Sequence, residues 1–259
     1  MEQQNSKNAM GAVIFSDVHA DAEAIAALLT CIRTPSFLET FGPIDQVINL
    51  GDILHRGHHP KEALENIHTL SKEYKLISVM GNHDHAFIHS LFVSGSDAAS
   101  LYRHEQLRDS PLLSIFEQMP MEWSDNGMLF VHGGPMELGQ EALRLKCWQR
   151  LSHQPGDSFS GYHYTADMAF DTLHARGLSH LCCGHQHTHV CCRKTPQGVV
   201  QHPIVFVPLP QKNSRDNLKL EVARIPLDLP TINRLGSCHG SEPEFAYTDH
   251  STFSHIRIV

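Results

Sequence analysis

The sequence lacks what would take it to a membrane or along a nucleic acid. No apolar run is long enough to span a bilayer, and no basic-then-apolar leader pattern opens the chain. The formal charge is −8 with neutral histidines, so no broad basic surface is expected and nucleic acid is not an expected partner. Tryptophan is scarce: Trp123 and Trp148 are the only two, and both read as packing residues. Internal repeats and a clear linker are absent too, which leaves one domain over residues 1–259 as the simplest organisation. Cysteine is present in an odd number, 7, and with no leader a reducing cytoplasm fits best. What the chain has in quantity is histidine. There are 21, and several lie outside any motif, so metal ligation cannot explain them all.

Residues 1–10 are polar and expected to fray. Ala12–Phe15 is a short apolar strand that runs into Ser16-Asp17-Val18-His19. From Asp21, placed as an N-cap, to Ile32 the apolar residues recur at helical spacing. Gln46–Leu50 is the next strand, ending in Gly51-Asp52, and Pro60 opens a helix through about Leu70. Lys75–Met80 is a third strand, ending in Gly81-Asn82-His83-Asp84. Strand, polar turn and helix in succession predict an α/β chain with a mostly parallel sheet. Asp84 to Met119 reads as a helical insertion or cap (residues 85–119), broken near Gly95 and Ser110-Pro111. Strand returns at Gly127–Val131, followed by His132-Gly133-Gly134. Helices are predicted near 140–151 and 165–176 around a Gly/Pro/Ser-rich loop at 152–161. Leu178–Cys183 is a strand ending in Gly184-His185-Gln186-His187, and hairpins and turns follow to Val259.

Open α/β sheets bind ligands at the carboxyl ends of their strands. Five predicted strand ends carry Asp17 and His19, Asp52, Asn82 and His83, His132, and His185 and His187. One such histidine alone would read as an ordinary surface or core residue; five coincidences would not. Side chains two apart on a strand share a face, so each of the pairs Asp17/His19 and His185/His187 can bite the same ion. The mixed oxygen and nitrogen donors suit Mn, Fe or Zn. Seven donors exceed the needs of one ion, whereas two divalent ions sharing a carboxylate would use them. Two such ions about 3.5–4 Å apart can clamp a hydroxide for in-line attack on phosphorus.

The motifs Asp17-Val-His19, Gly51-Asp52 with Arg56-Gly57, Gly81-Asn82-His83-Asp84, His132-Gly133-Gly134 and Gly184-His185-Gln-His187 together resemble the calcineurin-like metallophosphoesterases. The resemblance implies a four-layer α/β/β/α sandwich. It also implies that Asp17, His19 and His187 hold one ion, that Asn82, His132 and His185 hold the other, and that Asp52 bridges them. His83 would act as general acid and Arg56 would grip the phosphate. The chain is similar to the phosphoprotein phosphatase and symmetrical dinucleoside tetraphosphatase branch, with three departures. His55 stands where the phosphatases carry an Asp that supports the catalytic His, Ala20 replaces a Gly, and His187 is typical of wider phosphodiesterase-like members. The function implied is hydrolysis of a phosphomonoester by a metal-bridging hydroxide. The alternatives are cleavage of a dinucleoside polyphosphate or diester by the same site, or a non-catalytic binding scaffold. The partner is accordingly a phosphorylated protein, nucleotide or small molecule.

Other features are read plainly. Cys182-Cys183 and Cys191-Cys192 are poor chelates, because neighbours on a strand face opposite ways, and read as buried small hydrophobes on two paired strands. His55, His58 and His59 read as a solvated loop rather than a substrate rim. His85 and His89, one turn apart, read as a helix surface.

Overall fold

Strands with apolar residues on both faces organise the chain. The computed structural model describes residues 11–138, 145–210 and 219–259. In β1 (Gly11–Phe15), Ala12 and Ile14 enter one hydrophobic cluster while Val13 and Phe15 enter another. β5 (Met128–Val131) does the same: Met128 and Phe130 point one way, Leu129 and Val131 the other. This alternation on strands buried on both sides produces layers. The shared cluster lies between two sheets, where Ala12, Ile14, Ile48 and Val79 meet Met128, Phe130, Cys182 and Cys191. Each fully buried Leu, Ile or Phe contributes roughly 1.5–3 kcal/mol.

The first sheet has seven strands. β1, β2 (Ile44–Asn49) and β3 (Lys75–Ser78) run parallel. β15 (Glu244–Thr248), β16 (Thr252–Ile258), β13 (Leu220–Pro226) and β12 (Val207–Pro208) extend it antiparallel beyond β1. Its outer face is covered by α1 (Ala22–Ile32), α2 (Pro35–Phe41) and α3 (Pro60–Glu73). Asp21 caps α1 by accepting from the Ala24 N–H at 3.0 Å, and Pro60 occupies the first turn of α3.

The second sheet has the order β11-β10-β14-β9-β5-β4, formed by β11 (Gly198–His202), β10 (Val190–Thr195), β14 (Thr231–Arg234), β9 (His180–Cys183), β5 and β4 (Glu122–Asp125). α6 (Ala166–Ala175) packs Ala169, Phe170 and Leu173 on its outer face. Two central mixed sheets flanked by helices give the layered sandwich expected. Among the described residues no helix is long and apolar enough to cross a membrane.

Six expectations from the sequence are corrected. The sheet is not mostly parallel, because β15 pairs antiparallel with β1 and β16, β13 and β12 follow it, all from the last quarter of the chain. β4 was not anticipated. The helix expected near 140–151 falls partly on 139–144, outside the described residues; beyond them Lys146–Trp148 is a single 3₁₀ turn and Arg150–Leu151 is strand β6. The loop expected at 152–161 holds β7 (Gly156–Ser158), which pairs with β8 (Gly161–Tyr164) in a small third sheet. The two cysteine pairs lie on strands that are not neighbours, since β14 runs between them. All 7 cysteines are nonetheless buried free thiols. Trp123 is 37% exposed rather than packed. The N-terminal residues 1–10 lie outside the described residues.

The stretch expected as a helical insertion, 85–119, lies on helices that break around Gly95 and Ser110. It comprises α4 (Asn82–Ile88), α5 (Ala98–Glu105) and a 3₁₀ helix over Pro111–Gln118.

Candidate metal centre

Most of the polar residues at the strand ends sit in tight loops rather than on the strands, and Asn82 and His83 open α4. Asp17, His19, Ala20, Asp52, His55, Arg56, His185 and His187 all have φ between 49° and 68°. Non-glycine residues rarely adopt this left-handed region, and their concentration at one place marks a site held by its surroundings. The loops after β2 and β3 touch at two glycines. A Cβ on Gly51 would lie 2.4 Å from the Gly81 nitrogen, and one on Gly81 would lie 2.1 Å from the Asp52 nitrogen.

This contact brings the predicted residues together. Asp52 Oδ1 accepts from the His83 N–H at 2.8 Å, which turns Oδ2 toward the centre. Oδ2 then lies 3.7 Å from His19 Nε2 and 3.3 Å from His132 Nε2. Asp17 is oriented likewise: Oδ2 accepts from the His185 N–H at 2.9 Å, and Oδ1 lies 3.2 Å from His187 Nε2 and 3.8 Å from His19 Nε2. His19 and His132 each point Nδ1 at a backbone carbonyl, of Leu54 at 3.3 Å and Leu50 at 2.8 Å. Donation there fixes the tautomer and leaves Nε2 as the ligating atom. His19 Nε2 meets His187 Nε2 at 3.0 Å, and His132 Nε2 meets Asn82 Oδ1 at 3.0 Å.

The donors fall into overlapping groups: Asp17, His19 and His187; His19, Asp52 and His83; and Asp52, His132 and His185, the atoms of each lying within 4.8 Å of one another. These groups fit divalent cations on several grounds. Asp17 Oδ1 and His185 Nε2 are buried without a hydrogen-bond partner. Burial would raise Asp17, but His187 and His132 outweigh it and hold the carboxyl below its usual range. Burial likewise opposes ionisation of Asp52, and His132 and His83 more than reverse that. His132, which burial alone would lower, is pushed up to about 9 by Asp52 and Asp17. Two buried carboxylates thus draw a proton onto an imidazole that faces them, in the place where a metal cation would satisfy the same oxygens.

His83 lies beside the groups. Its Nε2 accepts from the Arg56 guanidinium at 3.3 Å, and its Nδ1 is buried without a partner. Burial lowers His83 below its ordinary value, with Asp52 opposing and Arg56 reinforcing. Arg56 is exposed at the mouth of a cavity of about 360 Å³ lined also by His19, Asp21, His58, His59 and His239.

Two sequence readings are corrected by this geometry. Strand parity allowed His185 and His187 to share one ion, yet His187 groups with Asp17 and His19 while His185 groups with Asp52 and His132. Both lie past the end of β9 with left-handed φ, so the two-residue alternation no longer applies. His55 is not solvated: it is 5% exposed and meets the His83 ring edge-on at 5.5 Å. Burial, with His83 and His104 adding, lowers it to about 4. An imidazole edge therefore stands where the phosphatases are expected to place a carboxylate. His58 and His59 are exposed as read, and the His85 and His89 rings meet tilted at 4.4 Å at the exposed end of α4.

Two residues were missed. Asp84 accepts from the N–H groups of Ile53 at 2.9 Å and Leu54 at 3.0 Å, fixing the loop after Asp52; the Gly-Asn-His-Asp motif contained it without revealing a role. His239 lies 3.5 Å from His187 Nδ1, and the Asp21 carboxylate accepts from the adjacent Gly240 N–H at 2.8 Å. Nothing local to His239 signals this.

The calcineurin-like phosphoesterase family model matches residues 10–189. Among solved structures, a metallophosphoesterase from Sphaerobacter thermophilus is 23% identical, with a TM-score of 0.65 over 96% of this chain and 89% of that one. A hypothetical protein from Pyrococcus horikoshii OT3 is 15% identical, with a TM-score of 0.60 over 95% and 86%. Both likenesses concern the fold. No curated protein sequence matches the chain significantly. With the family match covering more than half of its length and a buried His/Asp cluster suited to metal, the chain belongs to the calcineurin-like phosphoesterases and is a metal-dependent phosphoesterase.

Proposed function

We propose that this protein uses two divalent metal ions to hydrolyse a phosphomonoester. In this reading Asp17, His19 and His187 hold one ion, Asn82, His132 and His185 hold the other, and Asp52 is shared. The observation that carries it is the placement of Asp52 Oδ2 within 3.7 Å of His19 Nε2 and 3.3 Å of His132 Nε2, between the two sets. The oxygen and imidazole donors suit Mn, Fe or Zn. When bound, such ions supply Lewis-acid stabilisation of phosphoryl oxygens and make water acidic enough to attack near neutral pH.

The chain's own residues do the rest. Arg56 presents a guanidinium able to take two phosphate oxygens in parallel. Its present acceptor is His83 Nε2. A phosphate that takes over this donor frees Nε2 of His83 to carry a proton and give it to the leaving oxygen. The His83 backbone N–H meanwhile keeps Asp52 oriented. Residues 1–259 are read as one domain, and seven buried free thiols accord with a reducing cytoplasm.

The test is metal-dependent cleavage of p-nitrophenyl phosphate. His83→Ala is expected to lower kcat by roughly 10²- to 10⁴-fold, and Asp52→Asn to abolish activity together with metal binding. Full activity in either variant removes the mechanism. A second reading, cleavage of a diester or dinucleoside polyphosphate, is supported by the cavity of about 360 Å³ beside His19, which offers room for a larger leaving group. Bis-p-nitrophenyl phosphate and diadenosine tetraphosphate assayed beside the monoester separate the two.

A further inference from the structure

The loop that carries Arg56 is held from outside by the helical insertion. His55 and Arg56 are consecutive non-glycine residues in the left-handed region, with φ of 67° and 64°. Two such residues in succession need external support. On the inner side, the Gly57 N–H donates to the His19 carbonyl at 2.9 Å, and the His59 N–H to Ala20 at 3.2 Å. On the outer side, four consecutive residues give one backbone group each to a side chain from residues 96–104. The His55 N–H donates to His104 Nε2 at 2.7 Å, and the Arg56 N–H to Ser96 Oγ at 2.8 Å. Ser100 Oγ donates to the Gly57 carbonyl at 2.8 Å, and the Arg103 guanidinium to the His58 carbonyl at 2.7 Å.

The clamp is itself fixed. His104 donates from Nδ1 to the Ser100 carbonyl at 2.8 Å, which leaves Nε2 as an acceptor for His55. Asp97 caps α5 by accepting from the Ser100 N–H at 2.8 Å. Ser100 and His104 are buried. Gly95 lies beneath the arginine side chain: a Cβ there would come within 3.1 Å of Arg56 Nε. An insertion that merely covered apolar surface would leave the polar groups of the loop to water. Here one backbone group on each of the four residues is taken by a specific side chain, and the loop so held forms one wall of the cavity beside His19.

We propose that residues 95–104 are the positioning element for Arg56: they hold loop 55–58, with His55 and Arg56 left-handed, and so aim the guanidinium at the phosphate. The inference rests on the phosphate-binding role assigned to Arg56 above. Ser96, Ser100 and His104 do not touch substrate; they act through Arg56.

The test is a kinetic double-mutant cycle on the full chain loaded with metal, with p-nitrophenyl phosphate as substrate. Ser100→Ala and His104→Ala are expected to lower kcat/KM about tenfold, mainly through KM, the scale of one lost neutral hydrogen bond. His104→Gln, which keeps an acceptor for the His55 N–H, is expected to restore most of the loss, and metal content is expected to stay at the wild-type level. In the Arg56→Ala background the same substitutions are expected to change kcat/KM less than twofold. If they cost the same tenfold there, or cost nothing in wild type while Arg56→Ala is impaired, the positioning role is wrong and the phosphate role stands. If Arg56→Ala retains wild-type kcat/KM, the phosphate role falls and the positioning role with it. Ser96→Ala, at a half-exposed site, carries the same cycle should the buried variants fail to fold.

Discussion

Gly81→Ala is the sharpest probe of how the site is built, because it alters no ligand. The added Cβ would lie 2.1 Å from the Asp52 nitrogen and 2.2 Å from its Oδ1, where ordinary contact begins at 3.4 Å. Much of this overlap is with backbone, which cannot rotate away as a flexible side chain can. Gly81 has φ of −84°, so the effect is steric rather than conformational. Relief requires the loops after β2 and β3 to part by roughly 1 Å, a displacement of the size that costs about 10²-fold in rate. Parting them stretches the 2.8 Å bond from the His83 N–H to Asp52 and draws Oδ2 away from His19 and His132. Overpacking of this kind destabilises by roughly 1–3 kcal/mol. The expected result is a folded protein with kcat/KM for p-nitrophenyl phosphate lowered about 100-fold and reduced metal content by elemental analysis. Gly177→Ala is the control: its φ of 69° imposes strain, but nothing lies within 4 Å of the new Cβ. That variant should lose roughly 1–2 kcal/mol of stability and keep its kcat/KM. Wild-type activity and full metal occupancy in Gly81→Ala would refute the argument that this glycine contact sets the position of Asp52.

Two further outcomes concern metal and pH. Metal at 100 times its dissociation constant should stabilise the fold by about 2.7 kcal/mol, which raises Tm by roughly 5–10 °C for a chain of this size; chelator should reverse the shift, and a Tm indifferent to chelator would contradict a metal site in the buried cluster. His255, buried with its Nε2 donating to Asn233 Oδ1 at 3.4 Å, is pushed down from 6.5 to about 3 by burial, with His189 adding and Glu244 opposing. Between pH 6.5 and 3 the unfolded chain therefore binds a proton at His255 that the folded chain does not, so stability is lost as pH falls through this window. The slope is at most about 1.4 kcal/mol per pH unit from this group. Denaturant midpoints measured in chelator at pH 7.5 and 5 should fall less for His255→Gln than for wild type; equal falls would exclude the contribution.

Much of the site was legible from sequence because its donors stand immediately after apolar strands, and such strands are recognisable one at a time. Asp17, Asp52, Asn82 and His132 needed only that pattern together with the rule that parallel sheets gather ligands at their carboxyl ends. The layered α/β fold was legible for the same reason, since the strands were apolar on both faces.

What the sequence by itself determined was which polar residues stand at the strand ends. Strand alternation could not divide them, because left-handed loops past the strand ends break the two-residue alternation and send His185 and His187 to different groups. Contacts across long stretches of chain decided the rest. His104 on the insertion holds the backbone of His55, Asp21 holds the loop beside His239, and β14 comes between the cysteine-bearing strands. Local periodicity carries no record of such pairings, because each depends on where two distant segments pack and not on the residues beside either one.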